Sequence, residues 1–150
     1  MTSIVVNDAS QLEELEARMA RFIEEVDKGI AAPNCRGTLL YLLGERDREY
    51  FAWQEDITIL LQRKYALISD IPQANDLAVW HDIQDSNKIL HAGLVVQDGM
   101  SLLIRSRVGP GWEFPIKDLT PSHLQTDLDG EYHGKSVLRY YRLATSKKDN

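Results

Sequence analysis

Cysteine is almost missing from this 150-residue chain, which has one, Cys35. A single thiol excludes an internal disulfide framework and suits a reducing compartment. Positive charge is also scarce, with 17 Lys and Arg against 23 Asp and Glu and a formal net charge of -6. That balance offers no general attraction to phosphate backbones or anionic lipid, so neither nucleic acid nor a membrane surface is an expected partner. No stretch approaches the ~20 apolar residues of a membrane span, and the first thirty residues lack the basic, apolar and small-residue segments of a secretory signal. The expected location is the cytoplasm, with non-classical export compatible with the same features. The four histidines, His81, His91, His123 and His133, have no tight ligand spacing, so neither a metal nor another cofactor is expected.

Hydrophobic residues make up 43% of the chain and charged residues 27%, the balance of a folded protein with a proper core. One domain over 1–150 is expected, with an N-terminal helical segment at 1–32, a core at 33–145 and a polar tail at 146–150. Ser10 followed by Glu13 reads as a capping box. The apolar stripe from Leu12 to Val26 predicts an amphipathic helix stopped near Gly29. Asn34 is a good N-cap for a second, largely buried helix from Cys35 to Leu43, closed at Gly44. A third helical pattern runs from about Arg48 to Lys64, with Phe51, Ile57, Leu60 and Leu61 inward.

Beyond Ile71-Pro72 the pattern turns to strands at Asp76–His81, Ile89–Gln97, Ser101–Arg107 and Ser136–Leu143. Asp98-Gly99 is a hairpin signal, and Gly109-Pro110-Gly111 marks a loop. Tyr132, Arg139, Tyr140 and Tyr141 read as parts of an alternating closing strand, and Asp76 as structural. Helices followed by strands predict an α+β fold, a helical layer on an antiparallel sheet.

Within this plan Cys35 is the candidate nucleophile. The thiolate is the reactive form, and the leading amides of a helix stabilise it. They can also receive the oxyanion of an attacked carbonyl. His91, on an apolar strand, shares a face with Gly93 and Val95. With Asp98 and Gly99 as the central turn residues, Gln97 pairs with Met100 and His91 faces Ser106, which then orients the imidazole. Asn34, Arg36 and Gly37 flank the thiol, and Trp112 with Glu113 follows the Gly-Pro-Gly loop; Asn34, Arg36, Gly37 and Trp112 are the substrate-binding candidates.

These residues invite a comparison. Asn34-Cys35-Arg36-Gly37 resembles the Asp-Cys-Ser-Gly helix start of NlpC-type peptidases, which have a papain-like fold. The run from Asp70-Ile71-Pro72 through Asp76-Leu77-Ala78-Val79-Trp80 is similar to that family's proline-containing lead into a Gly-Asp-Leu-Val strand. His91-Ala92-Gly93-Leu94-Val95-Val96 is similar to its His-Val-Gly-Ile strand. Order and spacing agree, with Cys35 and His91 separated by 56 positions. The resemblance covers residues 33–107 and implies a papain-like thiol hydrolase that cuts an amide, peptide-like bond. Arg36 stands where the family has a small residue, Asn34 where it has Asp, and Ser106 where it more often has His, Asn or Gln. A papain-like domain without catalysis, acting as a binding or regulatory module for a protein partner, is the alternative these departures imply.

Overall fold

The computed structural model describes residues 32–144 and, before them, residues 13, 14, 16–18, 20, 21, 23 and 24, all of these earlier ones helical. The caps expected at Ser10 and Gly29, most of the first apolar stripe and the tail at 146–150 lie outside the described residues.

The architecture is mixed α+β. Helix α1 (Cys35–Leu42) and helix α2 (Gln54–Lys64) lead into strand β1 (Tyr65–Ile68), followed by β2 (Leu77–Asp82), β3 (Ile89–Asp98), β4 (Ser101–Arg107), β5 (Ile116–Leu119), helix α3 (Pro121–Tyr132) and β6 (Ser136–Leu143). The strands form a six-stranded antiparallel sheet in the order β1-β6-β2-β3-β4-β5.

Side-chain alternation divides the sheet into two apolar layers. On one face Leu77 and Val79 of β2 and Ala92 of β3 meet Leu39 and Leu40 of α1 and Ile57, Leu60 and Leu61 of α2. On the other, Ala78 and Trp80 of β2, Val95 of β3 and Ile104 of β4 meet Leu124 and Leu128 of α3. Central β2 is therefore buried on both sides. Trp80 is fully buried, and its indole N–H donates to Gln125 Oε1 of α3 at 2.8 Å, so the fold's largest enclosed side chain leaves no polar atom unpaired.

The expected strands at β2, β3, β4 and β6 are present within a residue of their bounds. Other details differ, each for a local reason. Helix α2 begins at Gln54 rather than near Arg48, because the Asp56 carboxylate accepts from the Trp53 N–H at 2.8 Å and caps the helix there. Helices do not all precede strands. Thr120 caps α3 by accepting from His123 N at 3.2 Å, with Pro121 in the first turn, and this helix stands between β5 and β6. Tyr132 consequently ends a helix and is not part of the closing strand.

The β3–β4 hairpin pairs Asp98 with Ser101, so its central residues are Gly99 and Met100, with positive φ at Gly99 alone (60°). A turn that needs glycine only in its first central position replaces the expected Asp-Gly turn. The register moves by two, an even shift that leaves every side chain on its expected face.

Candidate active site

Helix α1 starts where the sequence places it. The Asn34 side chain accepts from Gly37 N at 2.9 Å as N-cap and also bonds Ala52, accepting from its N–H at 3.2 Å and donating to its carbonyl at 2.9 Å. A buried cap thus ties the helix start to the loop before α2. Cys35, the first residue of α1, keeps partial solvent access. Burial works against ionisation of its thiol, but the neighbouring His91 imidazole, by charge and by hydrogen bonding, outweighs it together with the Arg36 guanidinium and the Ala92 backbone amide. The net effect holds the thiol pKa below its ordinary value.

His91 is 8% exposed, and its Nε2 lies 2.9 Å from Ser106 Oγ. Because the hairpin register is shifted, Ser106 reaches the ring along a diagonal rather than from directly opposite. Gly93 makes the diagonal passable: a Cβ there would stand 3.1 Å from Ser106 Cβ and 2.5 Å from Ile104 Cγ2. On the far side Trp80 stacks edge-on against the imidazole, with ring centroids 5.5 Å apart. The ring is thus held by a hydroxyl at one nitrogen and an indole at its flank, with the Cys35 thiol as a further neighbour.

A cleft of about 280 Å³ opens over these groups, walled by Arg36, Phe51, Leu90, the Val108–Pro110 segment and, from α3, Glu131 and Tyr132. Burial, then the adjacent Glu131 carboxylate, then the charge at Cys35 push the Tyr132 phenol pKa up. From the sequence Glu131 was not singled out and Tyr132 was read as part of the closing strand, although Thr120-Pro121 as cap and first turn, followed by Leu124, Leu128 and Tyr132 at four-residue steps, carried the signal.

The remaining expected binding residues divide. Arg36 lines the cleft, but its guanidinium is engaged, donating to Ala52 O at 3.1 Å and Ile89 O at 3.3 Å. Asn34 borders the cleft with its side chain committed to the cap and to Ala52. Gly37 faces away, since a Cβ there would fall 1.6 Å from Tyr50 O, so its role is the close approach of the loop before α2. Trp112 is 64% exposed and stacks on Arg107, whose Cζ lies 5.5 Å from the ring, while Val108, Gly109 and Pro110 of the same loop form the cleft wall.

A buried ion pair supports that wall. Arg107 is 5% exposed and bonds Glu49, Thr38 Oγ1 and the carbonyls of Gly111 and Phe114. Gly111 N in turn donates to Pro33 O at 2.8 Å, next to the cap. A buried pair of this kind is weak as a source of stability but fixes geometry, here of both loops flanking the thiol. Arg107 and Glu49 are 58 residues apart in the chain. No family model, curated protein or solved structure matches the chain. Among the described residues no helix is long and apolar enough to cross a membrane.

Proposed function

We propose that the chain is a thiol hydrolase that cleaves an amide, peptide-like bond, with Cys35 as nucleophile, His91 as general base and acid, and Ser106 as the group that orients the imidazole. The observation that carries this reading is the His91 ring held at Nε2 by Ser106, 2.9 Å away, beside a partly exposed Cys35 that lines the cleft at a helix start. In the first half-reaction Nδ1 of His91 takes the thiol proton as sulfur bonds to the substrate carbonyl carbon. The Cys35 and Arg36 amides that lead α1 have no carbonyl within the helix to bond and can receive the oxyanion. His91 returns the proton to the amine as the C–N bond breaks, leaving a thioester. Water, deprotonated by the same ring, then releases the acid and restores the thiol. The papain-like, NlpC-type kinship drawn from residues 33–107 belongs to the same proposal, supported by a thiol-bearing helix laid across the histidine strand of an antiparallel sheet.

Acyl transfer from an activated thioester, followed by intact-mass and peptide mapping, tests the reading. Expected are an acyl adduct on Cys35, its absence in Cys35→Ala and its near absence in His91→Ala. A wild-type thiol that acylates no faster than free cysteine at pH 6 overturns it in favour of a non-catalytic papain-like module.

A further inference from the structure

The sheet has a second concave surface, on the face turned away from His91. Between α2 and strands β1, β6 and β2 lies a cavity of about 450 Å³, larger than the cleft over Cys35 and within the range of small-molecule sites. Leu61, Tyr65, Leu67 and Ile89 give it apolar walls. None of its lining side chains is acidic and one, Arg139, is a cation, in a chain whose net charge is -6. Arg139 forms no ion pair among the described residues.

The polar end of this pocket is a directional chain of hydrogen bonds. The Ser86 carbonyl can only accept, so the hydrogen of the 2.6 Å contact is on His81 Nδ1. His81 Nε2 then accepts from the Tyr141 hydroxyl at 2.8 Å. That leaves the phenol oxygen free to accept, beside the Arg139 side chain that lines the same pocket. A guanidinium has five N–H donors in a planar fork. With no carboxylate among the described residues that line the pocket, Arg139 presents its donors to the cavity.

We propose that this pocket binds a small organic carboxylate, the anion on Arg139 and an apolar body against Leu61, Tyr65 and Leu67. One formal charge among apolar walls matches a monoanion with a hydrophobic tail rather than a compact, doubly charged phosphate. The site is independent of the thiol chemistry, sharing no lining residue with the cleft over Cys35.

The test is a titration of the full 15N-labelled chain with benzoate, with benzamide and inorganic phosphate as comparators, read from backbone amide shifts. Benzoate is expected to give saturable shifts centred on His81, Asn87 and Arg139, with a dissociation constant at or below about 1 mM. Benzamide and phosphate are expected to give none. Arg139→Gln should weaken benzoate by at least about tenfold, roughly the loss of one charge-assisted hydrogen bond. Gln62→Trp, which crowds the exposed α2 side of the mouth without touching the core, should weaken it as well, and Cys35→Ala should leave it unchanged. Binding of benzamide or phosphate as tight as that of benzoate overturns the proposal. So does a benzoate affinity that survives Arg139→Gln, or the absence of saturation below about 10 mM.

Discussion

His91 on β3 and His81 on β2 stand on opposite faces of one sheet, and each has a hydroxyl close to its Nε2: Ser106 at 2.9 Å for the first, Tyr141 at 2.8 Å for the second. Both rings are nearly covered. What separates them is the other nitrogen. In His81 it is bonded to the Ser86 carbonyl at 2.6 Å, so the ring is bound at both ends and burial holds its pKa below the ordinary value. The His91 ring, bonded to Ser106 at Nε2, instead has the Cys35 thiol as a neighbour that its charge and hydrogen bonding influence. A histidine fixed at one nitrogen retains a site for moving a proton, whereas one fixed at both serves as a strut. The residue type and its burial do not distinguish the two; the partner of the second nitrogen does.

Substitutions can break this contrast, beginning with those of largest effect. Cys35→Ala should abolish amide cleavage and all thiol labelling with the fold intact by circular dichroism. His91→Gln should slow alkylation of Cys35 at pH 6 by about 10²- to 10⁴-fold, the usual range for loss of a general base, and move the pH midpoint of labelling up toward the free-thiol value. His81→Gln should leave both unchanged, and labelling rates across pH would show at once if the two rings were interchangeable. Ser106→Ala should reduce turnover by about tenfold, the effect of one orienting hydrogen bond, and restoration by Ser106→Asn would distinguish orientation from packing. Gly93→Ala should lower stability by about 1–3 kcal/mol in urea denaturation, because the new methyl meets Ile104 and Ser106.

The smallest effect concerns acid. The folded His81 resists protonation, while its unfolded counterpart takes a proton near 6.5. The unfolded state therefore binds more protons as the pH falls. The contribution of His81 to stability is fully present above 6.5 and declines as the pH drops through and below that value. Comparing urea midpoints of the wild type and His81→Gln from pH 8 to 5 should show a shallower slope for the variant.

The elements visible in the sequence were those with strong local signals. Asn34 before an apolar run marked α1, and the alternating or apolar runs of β2, β3, β4 and β6 carried their own pattern. Strand β1 follows Lys64 of α2 with no turn between and buries only Tyr65 fully, so four residues without alternation were absorbed into the helical half. Strand β5, Ile-Lys-Asp-Leu, is an edge strand with three of four residues exposed. Helix α3 buries only Leu124 and Leu128, too narrow a stripe to stand out against a run of polar residues. At the site, Cys35 and His91 each stood out within their own segment. Tyr132 and the Arg107–Glu49 pair did not, since their importance comes from tertiary neighbours and no local pattern records those. The orienting role of Ser106 was inferred with the turn displaced by two residues, and parity preserved the face although the partner became diagonal.

One irregularity in the sheet has a consequence for how the cleft tolerates change. Pairing along β2 and β3 runs Trp80 with His91 and then His81 with Ile89, so Leu90 is an extra residue in its strand. The supernumerary position puts Leu90 beside His91 on the α3 side, giving the imidazole an aliphatic companion at the cleft, while Ile89 remains with the core under α1 and α2. Deleting Leu90 would straighten the ladder and strip that companion away. Lengthening the strand by one residue on the other side of His91 would rotate the ring out of phase with Ser106. Side-chain exchanges can therefore drift around this histidine, but the count of residues between the two strand ends is held constant by geometry.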